Sequence, residues 1–186
     1  MDSLGQTIHP YTGIPMDKAN PFTVGNAMIL DRYLDQRKMG PIEPLLGQGN
    51  DHPLAGAALV EAKFDPIPGD LLLLLDTRQA ELAAGNVVIL IAEGVEEIRW
   101  MRGQAHALLN VHPIDTVEAS YEGDRVRLDV FALDQSRLVV TARSLGAVRG
   151  TVLGLGDAPP NLVELGEYEV SDGWPNWNQE FDPIVP

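Results

Sequence analysis

Glu93-Gly-Val-Glu-Glu-Ile-Arg-Trp-Met-Arg-Gly-Gln-Ala-His-Ala-Leu-Leu-Asn-Val-His112 is the stretch on which the fold turns, because its two halves carry different periods. Val95, Ile98, Met101, Ala105, Leu108 and Leu109 recur at three and four residues, the spacing of one helix face. Glu96 and Glu97 precede Arg99 and Arg102, an order that suits a helix dipole. From Gln104 the residues alternate instead. Gln104, His106, Leu108, Asn110 and His112 fall on one side, Ala105, Ala107, Leu109 and Val111 on the other. Gly103 separates the patterns. A helix over 95–102 followed by a strand over 104–112 honours both; a continuous helix ending before Pro113 is the competing reading. Were 95–102 extended, Glu96, Trp100 and Arg102 would share a face.

Outward from this stretch the signals favour strands. Thr116–Tyr121 faces Arg125–Leu133 across Glu122-Gly-Asp, a hairpin pattern, and Val126, Leu128 and Val130 oppose Arg125, Arg127 and Asp129. Asp134-Gln-Ser136 turns the chain into Leu138–Ala142, followed by Ala147–Leu155 and Leu162–Val170. On the other side, Ala57–Phe64, the leucine run Leu71–Leu75 and the β-branched run Val87–Ala92 read as strands, the last two buried on both faces. Asp76 is placed to cap a short helix over Thr77–Ala84. Glycines at 146, 150, 154 and 156 suggest strand bends or close sheet packing, as at a barrel corner.

Residues 1–55 form an arm punctuated by prolines, with one helix starting at Thr23 or Asn26 and stopped by Gly40-Pro41. Residues 56–170 make the sheet-rich core and 171–186 an irregular tail. Trp174 and Trp177 in that tail either anchor it in a groove or, if exposed, form a binding hot spot. The expected fold is α+β and mainly antiparallel β: a curved sheet or small β-barrel with a proline-rich N-terminal arm carrying one helix.

Composition narrows the chemistry. The 186 residues include no cysteine, which removes thiolate nucleophiles, thiolate metal sites and disulfides, and fits a cytoplasmic protein. Twenty-seven acidic against 13 basic residues give a net charge of −14, which opposes nucleic acid as a partner. Residues 101–150 balance six Arg against six acidic side chains, whereas 151–186 hold seven acidic residues and no basic one. The apolar runs are far shorter than the ~20 residues of a membrane span. The glycines of Gly150–Gly156 lack the lysine and helix of a phosphate loop. No cofactor and no metal site is expected.

Only four histidines occur, and two of them, His106 and His112, lie in the deciding stretch. Six residues apart on a strand they stand about 20 Å from one another, too far to share a metal ion. His106 is the candidate general base, with Glu96 or Asp115 as partner acid, because a neutral imidazole titrates near the working pH. Trp100, Arg102, Asn110 and His112 are candidate substrate contacts. These residues suit a cofactor-independent isomerase, cyclase or dehydratase of small molecules, acting by general acid–base catalysis in a sheet-lined pocket. The alternative is a structural or assembly subunit, of shell or virion type, whose arm clasps neighbouring chains; a homo-oligomer through the arm is expected in either case. A non-catalytic ligand carrier would share the pocket without the acid and base.

Overall fold

The computed structural model describes residues 39–46, 52–81, 85–103, 111–160, 173–179 and 181–184. The expected arm helix up to Lys38, the strand over 104–110 and the strand Leu162–Val170 lie outside these residues, as do His9, His106 and Asn110. The described residues form one short helix, α1 (Glu43–Leu46), and nine strands. These are β1 (Ala58–Asp65), β2 (Asp70–Asp76), β3 (Val87–Glu93), β4 (Glu97–Met101), β5 (His112–Glu122), β6 (Arg125–Ala132), β7 (Arg137–Ala142), β8 (Ser144–Val152) and β9 (Phe181–Ile184).

Neighbouring strands pair antiparallel in the order β4-β7-β6-β5-β1-β2-β3-β8-β9. Local chemistry sets the turns. In the β1–β2 turn the Asp65 carboxylate accepts the Ile67 N–H at 3.1 Å, and Gly69 takes a φ of 75°. Between β5 and β6, Glu122 pairs with Arg125, leaving a two-residue loop in which Gly123 adopts a φ of 66°.

The sheet is open, which corrects the expectation of a barrel or strongly curved sheet. Its order begins at β4 and ends at β9 rather than returning on itself. The physical reason lies in how the leucine run is covered. Leu71, Leu73 and Leu75 join Val88, Leu90, Val126, Leu128, Leu138 and Val140 in one core cluster, to which Ile42, Leu45 and Leu54 also belong. Leu72 and Leu74 point the other way, to Val87, Ile89, Ile91, Trp177 and Phe181. The tail therefore lies on the face that a small barrel would leave in water. Of the two readings of the glycines, bends or close packing, Gly146 and Gly150 fit close packing: a methyl on Gly146 would meet the Met39 side chain at 2.9 Å, and one on Gly150 would strike the Phe181 ring. Both tryptophans of the tail are buried, Trp174 beside Ala58 and Val111. They are anchors.

Two helix expectations are also corrected. Residues 97–101 form a strand, so the extended reading of that segment holds. Residues 77–81 form a turn, because the Asp76 carboxylate binds both the Arg78 N–H at 3.0 Å and the Arg78 guanidinium, closing the chain after two residues. No helix among the described residues is long and apolar enough to cross a membrane.

Candidate functional site: the His112–Asp134 pair

Asp134 and His112 meet because of a hairpin and a bulge. Along most of β5 and β6 the register set at Glu122↔Arg125 continues through Thr116↔Phe131. Extended unchanged, it would set Pro113 against Asp134. A one-residue bulge between Ile114 and Thr116 shifts it, so that Ile114 pairs with Ala132 and the same register carries His112 opposite Asp134. Asp115 is the extra residue of the bulge and is exposed. Its effect is to re-aim the imidazole.

His112 Nδ1 stands 2.9 Å from Asp134 Oδ2. The carboxylate is fixed from its other side: Oδ1 accepts the Ser136 N–H at 2.8 Å, and Oδ2 accepts the Ser136 hydroxyl at 3.0 Å. Gln135, between them, has a left-handed φ of 67°, the conformation this tight loop demands. The Ser136 Oγ in turn accepts the Gly103 N–H at 3.0 Å, tying the end of β4 to the turn. Leu133 N–H donates to Pro113 C=O at 2.8 Å and holds the turn against the start of β5.

An ionised carboxylate only accepts, so the proton in the 2.9 Å contact belongs to His112 Nδ1. That tautomer leaves Nε2 with its lone pair, the form a general base requires. Burial works to raise the Asp134 carboxyl, but the Ser136 N–H, His112 and the Ser136 hydroxyl outweigh it and hold the group below its ordinary value. Asp134 is therefore charged at neutral pH. Ser136 is buried, and its oxygen is engaged by Gly103 and Asp134; it orients the carboxylate and does not face the imidazole as a nucleophile.

Trp100 completes the cluster. Its ring meets that of His112 edge-on, centroids 4.9 Å apart at 65°. Of the candidate residues from the sequence, His112 and Trp100 come together here. Glu96 does not join them; its carboxylate pairs with Arg125 at 2.7 Å on the surface. Arg102 is exposed. Asp129, on the neighbouring strand β6, is held by Arg127 and Arg137 and so is not free to serve the imidazole. His106 and Asn110 belong to the segment outside the described residues that joins Gly103 to Val111. Sequence reasoning missed Asp134 and Ser136. Counting outward from the hairpin places Asp134 within one residue of His112's partner; the bulge supplies the remaining step.

A separate cavity of about 420 Å³ is lined by Gly56, Ala58, Asp76, Gln79, Pro113, Pro159, Pro160 and Trp174. Ala58 pairs with both Asp76 and Pro113, so these three share one face, while His112 pairs with Leu59 on the opposite face. The cavity and the His112–Asp134 pair thus lie on opposite faces of the sheet. Asp76, in the cavity wall, forms a buried ion pair with Arg78. The guanidinium also donates to Gly156 C=O, Ala158 C=O and Gly173 C=O, at 3.1, 2.8 and 2.7 Å. Arg78 consequently pins both the segment after β8 and the tail. Among the described residues, no group of three or more His, Asp or Glu side chains is arranged to hold a metal ion.

Comparison with protein-family models gave no match, and comparisons with curated proteins and with solved structures gave none either.

Proposed function

We propose that the protein is a cofactor-independent acid–base catalyst acting on a small molecule, an isomerase, cyclase or dehydratase, with His112 as its proton-transfer group. The single observation that carries this reading is the 2.9 Å contact of His112 Nδ1 with a carboxylate that Ser136 fixes at two further points. Such a partner sets the tautomer, orients the ring and stabilises the imidazolium formed on proton abstraction. Trp100 supplies an apolar wall, and His106 and Asn110 are the nearest further candidates along the chain. In the form proposed, each of the three reaction types moves a proton to or from carbon without changing the oxidation level of the substrate overall, so imidazole and carboxylate suffice.

The reaction class leaves a label. A metabolite extract incubated in deuterium oxide with the protein should yield compounds that gain deuterium, identified by mass spectrometry. His112→Gln should lower the rate of labelling by about 10²–10⁴-fold, and Asp134→Asn should lower it less. Labelling that is absent, or equal in wild type and His112→Gln, would sink the proposal.

A second reading, an assembly subunit clasped through the N-terminal arm, is favoured by one observation: residues 1–55 are punctuated by six prolines, as an arm lying on a neighbouring chain would be. Deleting residues 1–38 and weighing the complexes by native mass spectrometry tests the arm. Collapse of a large assembly supports it; unchanged mass removes it.

A further inference from the structure

We infer that two copies of this chain associate through β4, edge to edge, about a two-fold axis at Ile98. Strand β4 pairs with β7 along one side and, among the described residues, has no strand on the other. Sheet edges are ordinarily protected by short strands, charged side chains (lysine above all), proline, a bulge or a covering element. Glu97-Ile-Arg-Trp-Met101 is short and carries Glu97 and Arg99, charges of opposite sign, but it contains no proline and no lysine, and its pairing with β7 runs without a register shift. Instead it exposes Ile98, Trp100 and Met101 at 41%, 39% and 42%. Such an edge can accept another strand where that strand's charges complement Glu97 and Arg99.

The charge pattern selects a second copy of the same strand. A two-fold axis perpendicular to the sheet runs the two strands antiparallel and keeps each face on its own side, so it must pass through a residue. Centred on Glu97 it sets Glu97 against itself, and centred on Arg99 it sets Arg99 against itself. Like charges directly opposite are destabilising. Centred on Trp100 it leaves Arg99 against Met101. Only the axis at Ile98 sets Glu97 against Arg99 twice over, with Ile98 against Ile98 on the other face. Glu97 and Arg99 already share a face, their side chains paired at 2.7 Å within one strand. Association exchanges that exposed contact for two cross-strand ones while covering Ile98.

Sedimentation velocity on the full chain over a concentration series tests this, with Glu97→Arg, Arg99→Glu and their equimolar mixture. Wild type should form a dimer. Either variant alone places four like charges together and should dimerise about tenfold more weakly or worse. The mixture should recover dimer, because the two basic side chains of one variant then face the two acidic side chains of the other. A second readout uses wild type alone: amide exchange at 97–101 should slow as concentration rises. A wild type monomeric at all concentrations, variants that dimerise as wild type does, or a mixture that stays monomeric would each overturn the inference.

Discussion

Gly103 has no room for a methyl group, and that fact binds the candidate site together. A Cβ there would lie 2.7 Å from Ser136 N and 2.6 Å from the Gln135 carbonyl carbon, both backbone atoms that cannot step aside. Gly103→Ala should push the end of β4 off the turn, break the bond to Ser136 Oγ and cost about 1–3 kcal/mol in urea unfolding. Gly146→Ala is the internal control. Its nearest contact is the terminal methyl of Met39, a flexible side-chain end at 2.9 Å, and no backbone atom is among its close neighbours, so it should cost less. Equal losses would mean that the β4 end and the Asp134 turn are not tightly apposed. Arg78 is the other residue on which much depends. Its side chain and that of Asp76 are 3% and 1% exposed, and it donates to three carbonyls besides. Arg78→Ala strands a buried carboxylate and should cost about 3–5 kcal/mol. It should also open Gly156–Ala158 to limited proteolysis. A loss below about 1 kcal/mol, by the same measurement, would mean that the ion pair is wet in solution.

At the scale of elements, burial decides what a sequence discloses. Strands β2 and β3 are legible because a short apolar run bounded by turns has few other ways to be covered. The β5–β6 hairpin is legible from Gly123 and from Val126, Leu128 and Val130 alternating with charge. Strand β4 is misread for a physical reason: all five residues are exposed, so no buried face imposes a period of two, and Val95, Ile98 and Met101 fall at helical spacing by coincidence. The meeting of His112 and Trp100 joins two residues that the sequence offers as candidates because imidazole is scarce and aromatic neighbours are few. Asp134 is hidden by the bulge at Asp115, which no composition signal announces. The barrel expectation fails at β9, a four-residue strand whose role rests on Phe181. Phe181 is 2% exposed and covers Leu72, Leu74 and Ile89 together with Trp177. Phe181→Ala should cost about 3–5 kcal/mol and increase binding of a hydrophobic dye. Unchanged dye binding and stability would show that β9 does not seal this face.

The whole molecule carries a net charge of −14, so two electrostatic effects of opposite kind act on its stability. Self-repulsion among surface carboxylates is long-ranged and screened by salt; raising ionic strength from about 0.01 to 0.15 M at pH 7 should raise Tm. The second effect is local. Burial tends to raise the Asp129 carboxyl, but Arg127 and Arg137 outweigh it, and its value, like that of Asp134, lies below the ordinary one. As pH falls through about 4, the unfolded chain therefore binds protons at these two sites before the folded chain does. Their stabilisation is complete at neutral pH, declines below about 4 and is gone once the folded values are passed. Salt should touch the Asp129 part of this limb less than the Asp134 part, because Asp129 is buried against its partners whereas Asp134 is partly exposed. Asp129→Asn combined with Asp134→Asn should lower stability at pH 7, keep the salt dependence and flatten the acid limb. The variant and wild-type curves of unfolding free energy against pH should then converge as pH falls below the ordinary carboxylate range. Curves that stay parallel to the lowest pH would place the acid sensitivity in other carboxylates and leave these two with a packing role only.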